Sequence, residues 1–104
     1  MKSLLIFLFC FVHAFSAFAD DAERYTVAKK IKKQVLKQLN KSGVQGFCDV
    51  YVHTKFDDKY LKVIRVNSSG DHQVCDQSKK VIPKGKRYKS SIPHAIIHIH
   101  VSRY

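Results

Sequence analysis

The sequence predicts an α+β fold in which helices pack on one face of a three-stranded antiparallel sheet. Three observations predict it. An amphipathic helical pattern follows a leading apolar segment, two alternating apolar segments are joined by a short acidic turn, and a last alternating segment ends the chain. We expect a short helix before that last segment, and a single domain over residues 20–104.

Residues 1–19 have the composition of a secretory signal peptide. Lys2 supplies a positive charge, an apolar run begins at Leu4, and Ala17-Phe18-Ala19 provides the small residues of a cleavage site. The apolar run is shorter than the roughly 20 residues that span a bilayer. We therefore expect export and cleavage, with an uncleaved membrane anchor as the alternative.

Two cysteines, Cys48 and Cys75, remain beyond the predicted cleavage site. An even number of cysteines in an exported chain predicts a structural disulfide. Free thiols in redox chemistry are the alternative, but they usually have a Cys-x-x-Cys spacing. A bond over this separation is expected to contribute roughly 3.5 kcal/mol, which is a large share of the stability of so small a domain.

The chain is strongly basic, with 19 Lys+Arg, 8 Asp+Glu and a formal net charge of +11. Removal of residues 1–19 removes only Lys2 and leaves +10. A field of this sign favours anionic partners, which include an acidic protein face, anionic lipid headgroups and nucleic acid.

The first helix is predicted over residues 24–40. Apolar residues recur at helical spacing from Val27 to Leu39, and lysines occupy the opposite side. Asp20, Asp21 and Glu23 suit a capping box at its start. Gly43 suits a left-handed residue at its end. The lysine face is interpreted as a solvated outer surface, with a membrane-surface or anion-binding strip as the alternative.

Strands are predicted over residues 47–56 and 60–66, with a turn at Asp57-Asp58-Lys59 that makes them an antiparallel hairpin. The alternation fails at Val63-Ile64, which indicates either burial on both faces or a bulge. Residues 67–71 are turn formers, and Asp71 is expected to cap the short helix that contains Cys75.

The C-terminal third is predicted to be a basic loop followed by a strand. The loop covers residues 84–91. The strand covers residues 96–103, and its alternation places Ile97, Ile99 and Val101 on one face and His98, His100 and Ser102 on the other.

Six histidines raise the question of metal binding or catalysis. His98 and His100 share a strand face and His94 lies just upstream, but a metal site needs a further ligand such as His53 or His72. No Ser/His/Asp or Cys/His set is recognisable, and a small basic nuclease is only a remote alternative. We expect no catalytic residues, no bound metal and no cofactor.

Several short motifs resemble one known family. They are Cys48-x-Val50-x-Val52, the acidic turn at Asp57-Asp58, the run Val63-x-x-Val66-x-Ser68-Ser69-Gly70-Asp71, and Cys75 on the following helix. Together they resemble the C-terminal domain of TolA and, more distantly, of TonB. The chain departs from that family at Lys59, where the family usually has glycine, and in a shorter and more basic helix after Cys75. It also shows none of the family's inner-membrane helix and stalk.

The resemblance implies a periplasmic protein-binding module with a disulfide between Cys48 and Cys75. Domains of this kind bind Tol-Pal components, colicin segments and phage coat domains, partly by strand addition at a sheet edge. By this similarity the docking edge is expected on the last strand, at Ile97, His98, Ile99, His100 and Val101. A basic patch of Lys84, Lys86, Arg87 and Lys89 is expected near it for electrostatic steering.

Two other functions are compatible with the sequence. A cationic membrane-surface or antimicrobial protein is the main alternative, because of the net charge and the lysine-faced helix. A stand-alone copy of the domain also suits a decoy or immunity factor that captures the docking segment of a toxin or phage. Nucleic acid is not an expected partner of an exported protein.

Overall fold

The computed structural model describes Asp21 and residues 25–104, which form two helices and four strands. In chain order these are α1 (Thr26–Ser42), β1 (Gly46–Asp57), β2 (Tyr60–Gly70), α2 (His72–Lys80), β3 (Arg87–Lys89) and β4 (Ile96–Arg103). The predicted signal peptide at residues 1–19, together with Asp20 and Glu23 of the predicted capping box, lies outside the described residues. The α+β class is confirmed.

The sheet is antiparallel and has four strands in the order β3-β2-β1-β4, so the prediction of three strands is wrong. The additional strand, β3, lies within the segment that was predicted to be a basic loop. It pairs with Tyr60–Lys62 of β2 and contributes Tyr88, which is only 3% exposed, to the core. Three residues with a single apolar side chain between an arginine and a lysine are too few to show an alternating pattern.

Both helices pack on the same face of the sheet and cover one apolar core. The apolar stripe of α1 is buried as its spacing predicts, and the helix lies two residues further along the chain than expected. Gly43 ends it in the left-handed conformation, with φ 74° and its N–H bonded to the Leu39 carbonyl at 3.0 Å. Tyr25, the residue that precedes the helix, provides no side-chain cap.

A bulge in β2 explains the interrupted alternation at Val63-Ile64. His53 of β1 lies opposite Arg65, whereas the next residue, Thr54, lies opposite Val63. Ile64 is therefore the extra residue, and it is 45% exposed while Val63 is fully buried. Of the two alternatives left open by the sequence, the structure has the bulge.

The junction between β2 and α2 differs from the predicted turn. Residues 67–70 continue β2 in register with β1, so the turn begins only at Asp71. Asp71 does not cap α2 with its side chain. Its carboxylate accepts a hydrogen bond from the Phe47 N–H at 2.8 Å, and its own N–H donates to the Phe47 carbonyl at 2.9 Å. Asp71 therefore joins the end of β2 to the start of β1.

A disulfide between Cys48 and Cys75 lies beside this junction and confirms the predicted pair. It links β1, a central strand of the sheet, to α2, and the two Cα atoms are 5.2 Å apart. Both cysteines are buried in the core. The bond therefore fixes α2 against the sheet at one end of the domain.

Replacement of both cysteines by alanine is expected to lower the free energy of unfolding by about 3–4 kcal/mol, because the open chain regains the entropy of a loop with a sequence separation of 27 residues. Urea denaturation monitored by circular dichroism measures the loss. Wild-type protein in excess reductant should match the variant. Equal stability of oxidised wild type and variant would contradict the structural role.

Gly70→Ala is expected to destabilise the domain more than Gly43→Ala. Gly70 has φ 141°, and an added Cβ would lie 2.6 Å from the Phe47 carbonyl oxygen, so the β1–β2 junction must move. Gly43 also has a positive φ, but nothing lies within 4 Å of its added Cβ, and only the backbone cost of about 1–2 kcal/mol applies. Thermal denaturation of both variants tests this order; equal losses would show that the close approach at Gly70 has no cost.

Candidate functional site

The two parts of the predicted binding surface lie at opposite edges of the sheet. β4, which contains Ile97–Val101, is one edge strand, and β3, which contains Arg87 and Lys89, is the other. Two strands separate them, which corresponds to roughly 14 Å between the edges. The expectation that the basic patch lies near the docking strand is therefore wrong, because β3 pairs with β2 and not with β4.

The edge of β4 is partly occupied by the chain itself. The Thr54 N–H donates to the Ala95 carbonyl at 2.9 Å, so the backbone groups of Ala95 point toward β1. Because backbone directions alternate along an antiparallel strand, the N–H of His98 points away from the sheet. The Asp21 carboxylate accepts a hydrogen bond from that N–H at 2.8 Å. A partner strand at this edge would have to displace Asp21.

The outer edge of β2 is paired for only part of its length. β3 covers Tyr60–Lys62, and Val63 exchanges hydrogen bonds with Gly85 and Lys86, each at 2.8 Å. Further along, Asn67 and Ser69 direct their backbone groups to β1, so those of Val66 and Ser68 point outward. In the described part of the chain, no strand pairs with this second half of β2.

The basic patch lies along the paired half of β2 and ends where the unpaired half begins. Lys84, Arg87 and Lys89 are exposed, and Lys86 is partly buried. The Arg87 guanidinium lies 4.4 Å from the centre of the Tyr60 ring, and the Lys86 ammonium lies 5.2 Å from the centre of the Tyr88 ring. The backbone of Lys86 ends the β2–β3 pairing, so the patch reaches the start of the unpaired edge.

The sheet face opposite the helices has a polar and aromatic surface that the sequence analysis did not identify as a site. Asp49 accepts hydrogen bonds at one carboxylate oxygen from His98 Nε2 and His100 Nδ1, both at 2.9 Å. The Tyr51 ring stacks on the His98 ring, with 4.8 Å between the ring centres, and the Phe47 ring stacks on the His100 ring, with 6.0 Å between the centres. The alternation of β1 could have shown it, since residues 47, 49 and 51 share this face.

The other described histidines, His53, His72 and His94, do not join this group. His53 lies on the same face but contacts β2. Its Nδ1 lies 3.4 Å from a guanidinium nitrogen of Arg65, and its Nε2 lies 3.2 Å from the Asn67 amide nitrogen. The His94 ring packs on Tyr25 at 4.0 Å, and His72 pairs with Asp76 on the surface of α2. Among the described residues, no three histidine, cysteine, aspartate or glutamate side chains form a group suited to hold a metal ion.

Two groups in the described part of the chain have a shifted pKa. Partial burial alone raises the pKa of Asp49, but hydrogen bonds and charges from His98 and His100 outweigh it, so the pKa lies below its ordinary value of 3.8. Burial raises the pKa of Tyr88 to about 12. The Tyr88 hydroxyl is buried without a hydrogen-bond partner in the described part of the protein, and so it stays neutral.

The described residues line two cavities that open on the surface and concern the predicted site. The larger, about 600 Å³, lies between the start of α1, the β1–β2 turn and the segment after β3. Lys59, Lys89 and His94 are among the residues that line it. The second, about 450 Å³, lies between α1 and the end of α2 and is lined mainly by lysine and glutamine. Sequence reasoning predicted neither cavity, because each combines residues distant in sequence.

No family model, no curated protein and no solved structure matches this chain. The resemblance to the TolA C-terminal domain therefore stays a prediction. Neither α1 nor α2 has the length and apolar character needed to cross a membrane.

Asp49→Asn is expected to remove a pH-dependent part of the stability. A carboxylate with a lower pKa in the folded state stabilises the fold fully above its unfolded pKa, and this stabilisation is lost as pH falls through the folded pKa. Urea denaturation across the acid range measures the free energy of unfolding of both proteins. The difference between wild type and variant should become smaller as the pH falls below 3.8, the ordinary pKa of this carboxyl group. Asp57→Asn, at the exposed end of the same strand, is the control. A difference that stays constant with pH would contradict the assignment.

Proposed function

We propose that this protein is an exported, periplasmic protein-binding module that takes up an extended, acidic segment of its partner as an additional strand. The observation that carries the proposal is the unpaired half of β2, where the backbone of Val66 and Ser68 faces outward. Strand addition at such an edge supplies affinity through main-chain hydrogen bonds, and neighbouring side chains supply specificity.

The unpaired half of β2 is better suited to this role than β4. At β4, the Asp21 carboxylate already accepts the outward N–H of His98. On β2, pairing with β3 extends only from Tyr60 to Lys62, so an added strand would continue the sheet in line with β3. The proposal therefore moves the docking site from the predicted strand to the opposite edge.

Charge supports an acidic partner at this position. Lys86 lies beside the start of the unpaired edge, Arg87 pairs with Lys62 just before it, and the whole chain has a net charge of +11. Positive potential of this kind increases the rate of encounter with an acidic segment. By the resemblance to the TolA C-terminal domain, the partner would be a Tol-Pal component or a colicin or phage segment, and capture of such a segment would suit a decoy or immunity factor.

Ser68→Pro is expected to weaken strand addition while the fold is retained, because proline removes an outward N–H that no described strand uses. Ser102→Pro is the matched control, since Ser102 faces outward at the opposite edge, on β4. The probe is a blocked hexapeptide that alternates glutamate and valine. Amide NMR should show protection at Val66 and Ser68 in the wild type, and Ser68→Pro should weaken binding about tenfold or more.

The result for Ser102→Pro distinguishes the two edges. Wild-type affinity in Ser102→Pro, together with the loss in Ser68→Pro, supports docking at β2. The reverse pattern would place the partner on β4, and no effect in either variant would exclude strand addition. A peptide with lysine in place of glutamate should bind more weakly. Equal binding of the two peptides would show that the edge does not select an acidic segment. Circular dichroism confirms that each variant is folded.

A further inference from the structure

The cavity between α1 and the end of α2 is strongly cationic. Its volume is about 450 Å³, and its lining includes Lys37, Lys41, Lys80 and Lys86 together with Gln34 and Gln38. Among the described residues, no aspartate or glutamate lines it. Four lysine side chains thus border one space without a described carboxylate among them. Because like charges repel, this arrangement favours an anion within the space.

The lysines are not neutralised elsewhere. Between described residues, the ion pairs all join a histidine to an aspartate, so none of the four lysines is paired with a described carboxylate. The Lys86 ammonium donates only to neutral oxygens, Gln34 Oε1 at 3.4 Å and the Val81 carbonyl at 3.2 Å. These contacts orient its charge at the cavity without cancelling it.

The walls of the cavity are held by regular structure. The Gln38 side chain donates to the Gln77 side chain at 2.9 Å, which joins α1 to α2. Gln34 and Lys86 form a second link, between α1 and the segment that leads into β3. Because helices carry most of these residues, packing sets the backbone positions from which the lysine side chains extend.

We propose that this cavity binds a ligand with two or more closely spaced phosphate groups. Each phosphate monoester carries a charge of about −1.5 to −2 at neutral pH, so two of them balance four lysines. A single carboxylate would leave most of the positive charge without a counterion. The amide nitrogen of Gln34 can add a hydrogen bond, because the Gln34 oxygen is the atom used by Lys86.

Two sources supply this chemistry, namely a soluble polyphosphate and a diphosphorylated lipid headgroup. The soluble probe is inorganic tripolyphosphate, with citrate as the carboxylate comparison. The lipid probe is a phosphatidylcholine vesicle that contains lipid A, whose headgroup has two phosphate monoesters, compared with a vesicle of the same net charge made with phosphatidylglycerol. Preference for lipid A over phosphatidylglycerol at equal charge identifies a headgroup ligand, and binding of tripolyphosphate alone identifies a soluble one.

The test compares two variants with the same loss of charge. Lys37→Gln/Lys80→Gln removes two cavity lysines, and Lys29→Gln/Lys33→Gln removes two exposed lysines of α1 that do not line it. Calorimetric titration with tripolyphosphate should show affinity about tenfold lower in the cavity variant, from two lost charge contacts of up to ~1 kcal/mol each. The control variant should stay close to wild type.

Each remaining outcome contradicts the proposal. Equal losses in the two variants would show that the affinity comes from diffuse charge. Equal binding of citrate would show that phosphate is not selected, and absence of binding to both phosphate probes would exclude the site. The cavity and the β2 edge are tested separately, because Ser68→Pro should bind tripolyphosphate like the wild type whether or not strand addition occurs.

Discussion

The covalent and hydrogen-bonded junction at the start of β1 is the constraint on which the rest of the domain depends. Cys48 is bonded to Cys75 of α2, and the neighbouring Phe47 makes two hydrogen bonds with Asp71, one to its side-chain carboxylate and one from its backbone N–H. A central strand, the end of β2 and the start of α2 therefore meet within a few residues. This junction fixes which face of the sheet the helices cover, and so it also determines which face and which edges are left for other molecules.

The one-sided core has a consequence for the opposite face of the sheet. Side chains there cannot be apolar in quantity without attracting other chains, and instead they bond to each other across the strands. Asp49 holds two histidines, and His53 contacts Arg65 and Asn67. This network occupies many of the polar atoms of the face. The unpaired backbone of β2, which has no such neighbours, is the more available surface for a partner.

The sequence predicted those features that depend on local periodicity. The α1 stripe, the β1–β2 hairpin, the alternation of β4 and the cysteine pair are all confirmed. It did not predict β3, because three residues carry too little pattern, nor the role of Asp71, because a contact with Phe47 replaces the local cap. The strand order is also non-local, so no pattern within residues 84–89 could show that they lie far from β4.

Lys86 connects the two proposed binding surfaces. Its carbonyl pairs with the Val63 N–H at the point where the unpaired edge of β2 begins, while its ammonium lines the cavity between the helices. An acidic strand on β2 and a phosphate group in the cavity would therefore both draw on the potential around this residue. Since an anion bound at one place lowers the positive potential at the other, the two ligands should oppose each other, and linkage requires this effect to be reciprocal. The effect of the positive charge on ligand binding therefore depends on a few side chains, above all Lys86, that lie between the unpaired edge of β2 and the cavity between the helices.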